Sequence, residues 1–205
     1  YGREGEMVAK ALYPAGHPYS WTVIGSLEDL NAASLDDVKD WFKTYYGPAN
    51  AVLSIAGDVR TDEVIAKVKK YFGNIPAGPS LIKPEVNVPR RLMDTRQSYQ
   101  DRVTEARISM YWCTPQWGAP ESNYLDLASM ILASGKSSRL YKKLVYEDQV
   151  STTVNAFIGT RELAGQFVVL PRVKPGNNVD NVEAIVNSIL SELIEQGPPQ
   201  DALPP

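Results

Sequence analysis

Gln166-Phe167-Val168-Val169-Leu170, followed at helical spacing by Val179, Val182, Ile185, Val186, Ile189, Leu190, Leu193 and Ile194, is the stretch on which the fold turns. Its first part reads as a strand. Its second part is the clearest amphipathic stripe in the chain, and Gly197 stands where a helix would stop. The same order occurs earlier. Ala51-Val52-Leu53-Ser54-Ile55-Ala56 is a short apolar run closed by Gly57-Asp58, which predicts a buried strand. A helix is expected next, with Thr61 as its cap, Asp62 and Glu63 in the first turn, and Val64, Ile65, Val68, Tyr71 and Phe72 on one face. Gly73 ends it. Recurrence of strand, turn and helix predicts an α+β protein of two related units, the first truncated at its N-terminus. Chance recurrence is the rival reading, because strand-turn-helix is a common order.

The rest of the chain fills in around these two segments. Ser34 precedes Leu35, Val38, Trp41, Phe42 and Tyr45, with Asp37 placed to complete a capping box, so a helix of about three turns is expected before Gly47-Pro48. Residues 74–100 carry Pro76, Pro79, Pro84 and Pro89 and no regular periodicity. Beyond them, Ile108, Met110 and Trp112 alternate with Arg107, Ser109 and Tyr111, as in a strand with one buried face. Helices are expected over 120–133, with Gly135 as the stop, and over about 137–147, with a further strand over 150–158. The expected division is 1–76 for the first unit, 77–101 for a linker and 102–205 for the second unit.

Composition narrows the function classes. The 205 residues are 43% hydrophobic with a formal net charge of −3, and the basic residues are scattered, which disfavours electrostatic binding of nucleic acid. No apolar run approaches the roughly 20 residues that cross a bilayer. Cys113 is the single cysteine, so no internal disulfide forms. The chain starts at Tyr1 and stops soon after a helical pattern, and both ends are expected to be cut from a longer polypeptide.

The order His17-Pro18-Tyr19, Ile24-Gly25, Tyr45-Tyr46-Gly47-Pro48-Ala49-Asn50, Ile55-Ala56-Gly57-Asp58-Val59 and Tyr71-Phe72-Gly73-Asn74-Ile75-Pro76 resembles the insulinase/pitrilysin zinc peptidases. In the second half, Ile131 to Tyr141, with Gly135-Lys136-Ser137-Ser138-Arg139-Leu140 at its centre, looks like that family's glycine-bearing turn into a helix. The resemblance spans nearly the whole chain. It implies duplicated α+β domains, each a mostly antiparallel sheet packed against helices, that pair into a chamber, with zinc held by two histidines of an inverted HxxEH helix and a later glutamate. Residues 1–76 would then be the C-terminal part of the zinc-bearing domain, and 102–205 most of the second, non-metal-binding one. His17 is the single histidine and no HxxEH is present, so zinc is expected in the full-length parent with its ligands upstream of Tyr1. No catalytic or metal-binding residue is assigned within this chain, and no substrate-binding residue is identified.

Some members of that family carry an arginine and, seven residues later, a tyrosine after the same Ser-Ser-Arg-Leu motif. Val145 and Thr152 stand at those positions here. The resemblance then implies a zinc-bearing half whose partner holds the missing pair. Other residues have simpler readings. His17 is expected to fix an extended turn that packs Tyr19 and Trp21 against the first unit. Glu4 and Glu6 match no ligand position. Arg139 and Tyr141 lie two apart, off a common helical face, and are expected to be structural. Asp58 belongs to a turn. The function implied is the non-metal-binding portion of a zinc-dependent endopeptidase acting on peptides, forming chamber wall and a surface for a homologous half or subunit. The competing reading is a catalytically inactive partner subunit of the same family, and a third is an unrelated α+β binding module. A periplasmic address is implied by the resemblance to bacterial members alone.

Overall fold

The computed structural model describes residues 4–198. The elements in chain order are α1 (Glu4–Leu12), α2 (Leu27–Ala32), α3 (Leu35–Tyr45), α4 (Thr61–Phe72), β1 (Ala106–Arg107), β2 (Met110–Thr114), α5 (Pro120–Ala133), α6 (Arg139–Tyr141), β3 (Ser151–Thr160), β4 (Gly165–Val173) and α7 (Val179–Gln196). A π-helical turn, Lys142–Glu147, continues α6. The expected α+β class is what forms, and the chain divides into two compact units, one of residues 1–22 with 86–205 and one of residues 23–85.

In the larger unit β4 is the central strand, paired antiparallel with β1 and β2 along one edge and with β3 along the other. Side chains alternate across the sheet. Phe167, Val169 and Val173 of β4 enter a core with Leu132 of α5, Leu140 of α6, Leu144, and Val182 and Val186 of α7. A smaller cluster joins Leu12 and Tyr13, at the end of α1, to Ala164, Tyr111 and Cys113. The strand expected around 107–112 is split into β1 and β2. Ile108 donates its N–H to the Pro171 carbonyl, but Pro171 has no N–H to return, so the ladder is interrupted there. Trp112, expected on a buried face, is partly exposed beside Phe167.

Gly165 is fixed by a close approach. A Cβ there would lie 2.4 Å from Thr114 Oγ1 and 2.9 Å from the Pro115 carbonyl. The turn into β3 has the opposite mismatch. Gln149 takes φ 53, the one positive value outside glycine among the described residues. Its left-handed backbone lets the Val150 N–H reach back to the Leu144 carbonyl at 3.0 Å, closing the π-helical turn. Glycine meets no Cβ penalty in that region, so Gln149→Gly is expected to raise stability by about 0.5–1 kcal/mol, read as a higher urea midpoint at unchanged slope.

The smaller unit holds α2, α3 and α4. Ser34 and Asp37 form the expected capping box, with Ser34 Oγ accepting from the Asp37 N–H at 3.2 Å. That arrangement also lowers the Asp37 pKa, chiefly through the Ser34 hydroxyl. Helix α4 starts one residue earlier than expected: Arg60 is its cap residue and Thr61 its first helical residue, and the cap is made without a side-chain hydrogen bond. The strand expected at 51–56 does not form. The segment has no regular secondary structure, and no strand among the described residues pairs with it, so Val52 is fully exposed where burial was expected. A lone strand has unpaired backbone groups and no sheet to bury its side chains against, whatever its sequence.

The expected division at 77–101 also differs from the packing. Helix α1 and residues 13–22 belong to the larger unit because the apolar face of α1, with Val8 and Leu12, lands on Tyr111, Cys113 and Ala164. Residues from 86 onward are tied to that unit as well. Arg91 donates to the Ala11 carbonyl, and Arg96 pairs with Asp180 and Glu183 of α7.

Candidate functional site

Glu4, Glu6, Cys113 and His17, the residues that most readily suggest a metal, each have another place in the fold. Glu4, at the first position of α1, is buried against the Arg107 guanidinium and accepts a hydrogen bond from the Tyr111 hydroxyl at 3.1 Å. Glu6 meets Lys10 one turn along the exposed side of α1 at 2.7 Å, and the lysine's hydrogen bond lowers its pKa. Burial pushes the Cys113 thiol up, away from the thiolate that binds metal or attacks carbon. His17 is 5% exposed. Its Nδ1 accepts the Tyr19 N–H at 3.0 Å and its ring stacks on Tyr13 at 4.7 Å. No group of three histidine, cysteine, aspartate or glutamate side chains converges among the described residues. The donor set does not fit a zinc site.

His17 does fix a turn, but the turn packs differently from expectation. Tyr19 joins Tyr13, Leu12 and Ala164 in the larger unit and accepts a hydrogen bond from the Leu163 N–H at 3.1 Å. Trp21 remains exposed. The expected structural roles of Arg139 and Tyr141 are realised. Arg139 donates to the Gly197 carbonyl at the end of α7, at 3.2 Å, and Tyr141 packs on the core. Val145 also packs on the core, while the Thr152 hydroxyl donates to Glu105 at 3.0 Å. Asp58 lies in an exposed bend.

What the smaller unit offers is surface. Helix α3 exposes Leu35, Trp41 and Phe42, helix α4 exposes Ile65 and Phe72, and the 51–56 segment exposes Val52, Leu53 and Ile55. These are the positions whose spacing predicts a core. A stripe of this kind left open is apolar surface of the sort that a further element or a partner covers. The helical stripes are visible in the sequence, which marks no one residue of them for binding.

The fold and this distribution of donors and apolar faces can be set beside known proteins. A family model described as the Peptidase M16 inactive domain matches residues 32–204. The chain belongs to that family. Zinc protease PqqE of Helicobacter pylori is 29% identical over 185 residues, covering 86% of this chain and 40% of that protein. The mitochondrial-processing peptidase subunit beta of Caenorhabditis elegans is 32% identical over 65 residues, covering 32% of this chain and 14% of that protein. Among solved structures, a peptidase M16 inactive domain from Pseudomonas fluorescens aligns with TM-score 0.79 at 18% identity, over 96% of this chain and 47% of that one. That likeness bears out the fold, and the family match bears out the resemblance to the insulinase/pitrilysin peptidases, whose inactive-domain family this is. The chain spans about two-fifths of the length of PqqE. Among the described residues of this family member, no helix is long and apolar enough to cross a membrane.

Proposed function

We propose that this M16 chain is the non-metal-binding portion of a zinc-dependent endopeptidase that hydrolyses peptides, supplying chamber wall and a surface for a homologous half or subunit. The observation that carries the reading is the combination of family membership with a donor set that does not fit zinc. In this reading residues 1–76 derive from the zinc-bearing domain and residues 102–205 from the second domain. The packing units cut across that descent, because α1 is buried on the β1–β4 sheet. The zinc ligands and the general base lie upstream of Tyr1. The open apolar faces of α3, α4 and residues 51–56 are where the remaining sheet of the zinc-bearing domain packs. Support for a protease parent comes from the name carried by PqqE, and support for a partner comes from the word subunit in the name of the mitochondrial relative. A periplasmic location is part of the proposal and is checked by cell fractionation.

Metal analysis and a peptide-cleavage assay test the core of it. The 205-residue chain alone is expected to carry no stoichiometric zinc and to cleave no peptide. A parent with an HxxEH motif upstream is expected to bind one zinc per chain and to be active, alone or with an adjacent homologous chain. Tight 1:1 zinc on the isolated chain overturns the placement of the site. A parent without HxxEH transfers the assignment to an inactive partner subunit.

A further inference from the structure

The chain passes between the two compact units twice, after Thr22 and before Val86. Within the larger unit the segments that flank these crossings lie side by side. Pro14, Gly16 and His17 line one recess with Val86 to Arg90, Val88 packs with Leu12 and Tyr13, and Arg91 holds the Ala11 carbonyl. His17 sits at the centre of this double connection. Its Nδ1 is committed as the acceptor of the Tyr19 N–H, so the neutral ring carries its proton on Nε2, which is buried with no hydrogen-bond partner.

We propose that His17 is a pH-sensitive clasp: neutral, it locks residues 13–20 against the sheet beside the second crossing, and protonated, it releases them. A second proton must go to Nδ1, and placing it there removes the acceptor and turns an N–H towards the Tyr19 N–H. The new charge has no carboxylate among the groups found against the ring. Tyr13 stacks on it, and burial keeps that phenol protonated by raising its pKa. Tyr19 lies tilted at 5.4 Å, with the Arg161 guanidinium over the tyrosine ring at 4.7 Å, and Arg90 lines the same recess as His17. Burial lowers the His17 pKa below its ordinary value. The released form binds the proton more tightly than the locked form, so the clasp is fully closed above about pH 6.5, the ordinary histidine value, and weakens as pH falls towards the lowered folded value.

Amide hydrogen exchange on the full-length polypeptide, corrected for intrinsic rates, tests this. Between about pH 6.5 and the folded pKa, protection at the Tyr19 and Leu163 amides is expected to fall by up to about tenfold per pH unit, while Val168 and Val169 in β4 hold theirs. In His17→Asn, whose side-chain oxygen replaces Nδ1 as acceptor without titrating, that pH dependence is expected to vanish. Equal pH dependence in His17→Asn, or flat protection in the native chain, overturns the proposal. Should the variant fail to fold, direct titration of the imidazole by NMR decides: a pKa below 6.5 supports the clasp and one at or above 6.5 removes it.

Discussion

Replacing Glu4 with alanine is expected to destabilise the larger unit by about 3 kcal/mol, the lower end of what breaking a buried ion pair costs. The carboxylate is buried at the start of α1, where it faces the Arg107 guanidinium and takes the Tyr111 hydroxyl hydrogen. Alanine takes away both interactions and leaves two partners desolvated for a contact that is gone. Glu4→Gln retains an acceptor for Tyr111 and removes only the charge, so its loss is expected to be smaller. Chemical denaturation followed by far-UV circular dichroism reads both. If Glu4→Ala costs less than about 1 kcal/mol, the pair behaves as a solvated surface bridge and α1 is not anchored through it.

Leu144→Ala is expected to cost about 2–5 kcal/mol, a large part of the margin of a typical domain. Leu144 is completely buried and meets α5, β4 and α7 residues in one cluster, although it stands in a π-helical turn and its carbonyl closes that turn. The turn is held by Gln149 in the left-handed region, which limits how far the backbone can collapse into the vacated space. Leu144→Met conserves volume and is expected to cost less than about 1.5 kcal/mol. A urea midpoint for Leu144→Ala equal to the native one would show that the core around the turn refills.

The features legible in the sequence are those whose cause lies within a few residues. Ser34 finds Asp37, Pro120 opens α5, and Gly197 ends α7 because caps and stops are local. The stripe on α7 is equally local, and so are the short motifs whose order carries the resemblance. Features set by distant partners were not legible. The pattern at 51–56 is that of a strand, but pairing depends on a neighbour that the pattern does not contain. Nothing in Ala119 to Thr160 marks a π-helical turn, which arises from how Leu144 and Val150 close on each other. The candidate site divides the same way. Glu6 pairs with Lys10 one turn away, as its spacing suggests, whereas Glu4 takes its hydrogen bond from Tyr111, 107 residues along the chain. His17 itself touches Tyr13 and Tyr19 close by in the sequence, but the turn it fixes packs on Ala164 and Leu163, which the local motif does not name.

The double connection between the two units has a practical consequence for dissecting the protein. Trimming to residue 102, where a sequence boundary falls, strips Leu12, Tyr13, Tyr19 and Val88 from Ala164, Tyr111 and Cys113 and uncovers an apolar sheet face. Residues 23–85 pack as a unit of their own, so shortening the protein within them keeps the α1 cover over the sheet, which a cut at residue 102 removes.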